Sequence, residues 1–274
     1  MIDNHIHTFL CNHAEGTMDV YAQTAIKRGL AEICFLDHLT LNNSGKALSM
    51  TIDEVPLYFQ AARIIKDKYA GKLEVKTGLE MDFHPQLTDV LYEVSSRYAF
   101  DVIGSSVHFV GDINIVSHAS AWKLETLDPD HLYEGYLSML TQMLDYDYFD
   151  VVCHLDLVKK FIRPPTRSFA KEFRDILSII KQKRLTVEIN TSGYIHPVAD
   201  LYPSADLIGL CAKMDIPITL GSDAHRPGSV GQSYDRVLPI IRSAGYNHLS
   251  SFTHRKPYPI ETSSAHTPTA GKDI

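Results

Sequence analysis

Two patterns of apolar and polar positions alternate along the chain. Short apolar runs occupy residues 2–6, 31–36 (AEICFL), 73–79 (LEVKTGL), 101–107 (DVIGSSV), 149–153 (FDVVC), 185–189 (LTVEI) and 216–220 (IPITL). Runs of this length predict buried strands. Between them, residues 18–29, 53–69, 129–144, 168–182, 204–213 and 234–243 carry apolar side chains at helical spacing. In the first, Val20, Ala25 and Ile26 form the expected buried face and Gly29 ends the helix. In the second, Val55, Phe59, Ala62 and Ile65 face the core, with Thr51 or Asp53 as the cap. Pro164, Pro165 and Thr166 mark the start of the helix near residue 168.

Strand and helix alternate about seven times, which predicts α/β architecture with a parallel sheet. On this pattern alone, an open doubly wound sheet and a closed barrel both qualify. No GxGxxG follows the first strand and no GxxxxGK[ST] occurs, so the dinucleotide and P-loop classes lose their main support. Residues 1–261 read as one domain, followed by a polar, flexible tail over 262–274 (TSSAHTPTAGKDI). A length of 274 residues suits a single β/α barrel, and the 45% apolar content suffices for its core.

Charge and cysteine content narrow the partners. The net charge of −7 argues against non-specific nucleic-acid binding, which depends on basic patches. It leaves room for a small anionic substrate, because bound cations can invert the local field. Cys11, Cys34, Cys153 and Cys211 are scattered without CxxC spacing, so a disulfide framework is not expected and a reducing cytoplasm is. No signal peptide precedes the first motif and no long apolar run occurs, so no membrane span is expected.

The chemistry lies in the placement of 14 histidines. His5-Ile6-His7 puts two imidazoles on one face of a strand end, because side chains at i and i+2 point the same way. Asp223-Ala224-His225 repeats this arrangement after the last strand, although Asp223 could instead cap the next helix. Asp37 and His38, Glu80, His108 and His154 each follow a different predicted strand, and His13 lies in the loop after the first. Any one of them has an ordinary structural explanation. Together they do not, because parallel strands of a barrel open onto one face and unpaired buried charges cost several kcal/mol each. The joint reading is a metal site. Of the other histidines, His118 and His196 lie in mouth-side loops and are candidate substrate contacts; His84, His131, His248, His254 and His266 read as surface or structural residues.

In this order, His5, His7, His13, His38, Glu80, His108, His154, Asp223 and His225 resemble the ligand pattern of the polymerase and histidinol phosphatase (PHP) family. The resemblance implies a distorted seven-stranded (β/α) barrel holding three divalent metal ions. It implies that His5, His7, Glu80 and Asp223 hold one ion. Glu80 would be shared with a second, bound also by His108 and His154, and a third would sit on His13, His38 and His225. The segments HIHTFLCNHA, GLEMDF, SSVHFVGD, CHLDLVKKF, EINTSGY and ITLGSDAH look like the histidinol-phosphate phosphatase branch. Residues 112–121 (DINIVSHASA) depart from that branch.

The expected activity is therefore hydrolysis of a phosphomonoester, foremost L-histidinol phosphate, by a metal-bridging hydroxide attacking phosphorus in line. Mixed imidazole and carboxylate donors suit zinc, iron or manganese. Lys160, Arg163 and Arg226 are candidates for the phosphate, and Asn190 with Ser192 for the substrate's polar end. Glu80, Asp223 and His225 are the expected catalytic residues, with Asp37 as a candidate leaving-group acid. The rivals are a related phosphoesterase with another substrate, an amidohydrolase-type metal enzyme, and a non-catalytic metal-binding module. The second usually carries a bridging lysine where Glu80 stands here, and the third needs no open coordination position.

Overall fold

The computed structural model describes residues 1–42 and 45–262. From the N-terminus these form β1 (Ile2–Ile6), α1 (Met18–Lys27), β2 (Glu32–Leu39), α2 (Val55–Tyr69), β3 (Glu74–Asp82), α3 (Thr88–Arg97) and β4 (Val102–Ser106). Next come a short hairpin, β5 (Phe109–Val110) and β6 (Ile113–Asn114), then α4 (Ala121–Leu124), α5 (Pro129–Met143), β7 (Val151–Val152) and α6 (Ala170–Lys183). The chain ends with β8 (Thr186–Asn190), α7 (Ala205–Lys213), β9 (Ile218–Gly221), α8 (Tyr234–Ser243) and a second hairpin, β10 (His248–Thr253) with β11 (Lys256–Glu261). Of the tail expected over 262–274, residues 263–274 lie outside the described residues.

Seven strands pair in parallel in the order β1-β2-β3-β4-β7-β8-β9. Between the open sheet and the barrel, the structure chooses the barrel. The His7 amide donates to the Ala224 carbonyl at 3.0 Å and the Ala224 amide to His5 at 3.3 Å, so the first and last strands meet just beyond β9. The closure is tight enough to require glycine inside. A Cβ on Gly78 would stand 2.3 Å from the Val102 carbonyl oxygen and 2.7 Å from a Leu36 methyl.

All seven expected strands and all six expected helices form within a few residues of their predicted bounds. The buried face of α1 is different from the one expected. Met18, Tyr21, Ala22 and Ala25 are buried at i, i+3, i+4 and i+7, while Val20 and Ile26 are exposed. The large Tyr21 ring, edge-on to Phe35 of β2, sets that face. In α2, Val55, Ala62 and Ile65 are buried as expected, Phe59 is partly covered, and Thr51 rather than Asp53 caps the entry, its amide donating to Glu54 Oε2 at 2.8 Å. Helix α3 and both hairpins were not legible in the pattern.

The β10–β11 hairpin closes the N-terminal end of the barrel. Asn4 Nδ2 and Thr219 Oγ1 donate to the Ser250 carbonyl at 3.2 and 2.8 Å, Lys76 Nζ reaches Thr253 Oγ1 at 3.0 Å, and the Arg255 guanidinium grips Asp150 at 2.9 and 3.0 Å. Phe252 enters a small apolar cluster with Cys34, Leu36, Val102, Val151 and Cys153. The C-terminal strand ends are left as the open face. Among the described residues no helix is long and apolar enough to cross a membrane.

On the outside of the barrel, the buried Tyr58 hydroxyl lies 2.7 Å from the carbonyl oxygens of both Phe35 and Gly78, pinning α2 to β2 and β3. Tyr58→Phe should lower stability by about 1–2 kcal/mol and the melting temperature by a few degrees. Calorimetry checks this; an unchanged melting point would show that these contacts contribute nothing.

Candidate metal centre

Strand register brings the first two groups together. The β2–β3 ladder sets His38 beside Glu80, and His38 Nδ1 lies 2.8 Å from Glu80 Oε2. His7, His108 and His154 stand one or two residues beyond β1, β4 and β7, and Asp223 and His225 follow the turn after β9. All of them converge on the Glu80 carboxylate or its neighbours. Glu80 Oε1 is 2.7 Å from His154 Nε2 and 3.5 Å from His108 Nε2, and Oε2 is 3.5 Å from His5 Nε2 and 3.8 Å from His7 Nε2. Asp223 Oδ1 approaches His7 Nε2 at 2.9 Å. The His7 ring lies 4.1 Å from His38 and 4.0 Å from His225, and His13 lies 4.5 Å from His225 and 5.3 Å from His38. The nine residues picked out from the sequence thus form one cluster.

Its chemistry fits divalent cations. His5 Nε2, His7 Nε2, Glu80 Oε2, His154 Nδ1 and His225 Nε2 are buried without a hydrogen-bond partner. His5 Nε2 and His7 Nε2 stand 3.5 and 3.8 Å from Glu80 Oε2 without a hydrogen bond between them, as atoms converging on a common ion would. Burial pushes the Glu80 and Asp223 carboxyls up, but the surrounding imidazoles outweigh it and hold both well below the usual carboxylate range. Burial also drives His108 and His225 well below the ordinary histidine value and, with His38 nearby, brings His13 down to about 4. Ionised carboxylates and neutral imidazoles are the forms that ligate metal. His5 and His7 are the exceptions. Burial would lower both, but Glu188, Glu80 and Asp223 hold His5 well above the ordinary value, and hydrogen bonds to Asp223 and Asp37 bring His7 up to about 9.

A layer of buried carboxylates stands behind the cluster. Glu188, a residue the sequence reading missed, accepts from His5 Nδ1 at 2.5 Å and, through its other oxygen, from the His154 amide at 2.9 Å. Its position two residues from Asn190 on an inward-facing strand column was the only signal available. A Cβ on Gly221 would meet Glu188 Oε1 and His5 Cβ at 2.5 Å each, so glycine there makes room for the pair. His154 (φ 28°) and Asp223 (φ 55°) both sit in the left-handed region, backbone strain that surrounding contacts must hold. Asp82 accepts from the His108 amide at 3.0 Å. Asp37 is fully buried behind His7, 3.3 Å from its Nδ1, and also accepts from the amides of Thr8 and His38. It faces away from the cleft, which corrects its reading as a leaving-group acid.

The open face is a cleft of about 600 Å³ lined by His13, His38, His108, His154, Asp223 and His225, with Lys160, Ser192 and Arg226 beside them. Arg226 pairs with Glu15 at 3.1 Å on the rim. Two proposed substrate contacts lie elsewhere. Arg163 is exposed beside Pro164 in a neighbouring hollow, because Phe161 and Ile162 before it take the buried positions of this segment. Asn190 is buried beneath Asp223, donating to its Oδ2 at 3.3 Å, and Ser192 Oγ donates to the same oxygen at 3.1 Å. His118 and His196 both line the cleft.

The model of the PHP domain matches residues 3–192, and that of a PHP-associated region matches 208–242. A probable histidinol-phosphatase of Deinococcus radiodurans is 34% identical over 94% of this chain and 99% of its own length. The histidinol-phosphatase of Bacillus subtilis is 27% identical, over 86% of this chain and 97% of its own. A crystal structure of histidinol phosphate phosphatase from Lactococcus lactis, complexed with zinc, L-histidinol and phosphate, superposes with a TM-score of 0.82 at 26% identity, covering 94% of this chain and 98% of that one.

Glu188→Gln keeps the shape of the side chain but removes the charge that orients His5. It should weaken divalent-ion affinity by roughly 10–100-fold, the usual effect of losing such a partner, while circular dichroism stays unchanged. Titration of the apo-protein with zinc against a competing chelator measures this; wild-type affinity would show that Glu188 merely fills space.

Proposed function

This chain belongs to the PHP domain family, and we propose that it is a metal-dependent phosphomonoesterase that hydrolyses L-histidinol phosphate to L-histidinol and phosphate. The observation that carries this is the convergence of nine imidazole and carboxylate side chains around Glu80 at the floor of an open cleft. The relative that holds zinc together with L-histidinol and phosphate supports both the ion class and the substrate.

His5, His7, Glu80 and Asp223 are assigned to one divalent ion, Glu80 with His108 and His154 to a second, and His13, His38 and His225 to a third. The mixed donors suit Zn²⁺, Fe²⁺ or Mn²⁺, with zinc favoured by the relative. Ions bound there lower the pKa of coordinated water and neutralise charge on phosphoryl oxygens.

The chain's own residues supply orientation and further charge. Lys160 is assigned to the phosphate: it lines the cleft, burial depresses its pKa, and the carboxylates of Asp223 and Glu80 pull it back toward the charged form. Arg226 on the rim favours entry of an anion. Asp37 and Glu188 fix the rings of His7 and His5 from behind, and Asn190 and Ser192 fix Asp223, so the ligand set is held in place before substrate arrives. Four free, buried cysteines fit a reducing cytoplasm.

Phosphate release from L-histidinol phosphate should exceed that from other phosphomonoesters, vanish on chelation and return with added Zn²⁺ or Mn²⁺. Glu80→Gln and Asp223→Asn should each lower kcat by at least about a thousandfold without loss of fold. Near-normal turnover in both variants would overturn the mechanism. Metal-dependent hydrolysis of other esters alone would keep the chemistry and reject the substrate.

A further inference from the structure

We propose that His118, Phe161 and His196 form a subsite that seats the planar heteroaromatic end of the substrate, the imidazole if the ester is L-histidinol phosphate. The identity of that ring rests on the function proposed above.

Three loops at the open face bring these rings together, one after β6, one after β7 and one after β8. His118 lies 4.7 Å from Phe161, and His196 lies 6.1 Å from each of the other two, with interplanar angles of 54–68°. Aromatic rings attract a further ring at centroid distances of this order, through tilted and edge-to-face contacts. His118 and His196 line the same cleft as His108, His154 and Asp223. Lys160 stands between the two groups, lining the cleft with its ammonium 5.3 Å from the Phe161 ring. The cleft therefore has a cationic end at Lys160 and the ligand cluster, and an aromatic end at the two histidines.

The aromatic end is suited to a neutral heterocycle. Among the described residues, neither the His118 nor the His196 ring has a protein hydrogen-bond partner, so their nitrogens are available to a ligand. Burial, with Lys160 nearby, lowers His196 to about 4, leaving a neutral imidazole that offers one donor and one acceptor. Lys160 disfavours a cation at this end. Val116, Leu157 and Ile195 add apolar walls to the same cleft. A neutral imidazole, flat and able both to donate and to accept, meets each of these conditions.

The test compares L-histidinol phosphate with 2-aminopropyl phosphate, which is the same ester lacking only the imidazole. The quantity read is the ratio of their kcat/KM values in wild type, His118→Ala, His196→Ala and the double variant. Wild type should favour L-histidinol phosphate strongly. Each single change should lower the ratio by about tenfold, mainly through KM, the scale expected when a site loses a matched polar contact and a ring. Where an alanine variant does not fold, His196→Phe carries the same comparison, filling the space without the ring nitrogens and lowering the ratio likewise. A high wild-type ratio that survives in all variants would overturn the subsite and leave the proposed substrate standing. A wild-type ratio near one would overturn the substrate assignment and the imidazole subsite together.

Discussion

A carboxylate buried at the centre of the molecule, Glu80, sets the terms for everything around it. It is 1% exposed, and desolvating a charge that deeply costs several kcal/mol unless opposite charge is supplied. His5, His7, His38, His108 and His154 all approach its two oxygens within 4 Å, and they come from strands β1, β2, β4 and β7. The barrel is what allows such convergence. In a flat parallel sheet, strand ends lie about 4.8 Å apart in a row, so four of them could not surround one group. Closure through His7 and Ala224 turns the row into a ring.

The two ends of that ring are built differently. At the N-terminal end the β10–β11 hairpin fills the opening with Phe252 and satisfies Asn4, Lys76 and Asp150 by hydrogen bonds and ion pairs. These polar groups are fully engaged and read as stability. At the C-terminal end the polar groups have incomplete partners and the backbone is strained at His154 and Asp223. Strain and unmet hydrogen bonds in the same place are the usual signature of a site kept for binding rather than for stability.

The two strained positions are held by buried polar groups beneath or beside them. Glu188 grips the His154 amide while orienting His5, and Asn190 and Ser192 grip Asp223. The layer is therefore shared between ligands assigned to different ions, so a change in one of its members is expected to be felt by more than one. This is why the number of ligands alone understates how much of the barrel's interior the site occupies.

Much of this was legible in the chain's own pattern. Apolar runs of strand length between helical segments located all seven barrel strands, and the period of two placed His5 with His7; Asp223 and His225 also meet, but through a left-handed turn at Asp223 beyond β9 rather than through strand alternation. The ligand residues could be found because, His13 apart, each lies near or just beyond the C-terminal end of a strand, and strand ends of a parallel barrel share a face by topology alone. What the tertiary structure decided was side-chain direction relative to segments far away in the chain. Glu188 became the partner of His5 across 183 positions, Asp37 turned behind His7 and away from the cleft, and Arg163, following the buried Phe161 and Ile162, was left exposed in a neighbouring hollow. The face of α1 and the β10–β11 plug belong to the same class, since packing against Phe35 and the open barrel end selected them. Local periodicity says which residues share a face; only the closed packing of distant segments says what that face meets.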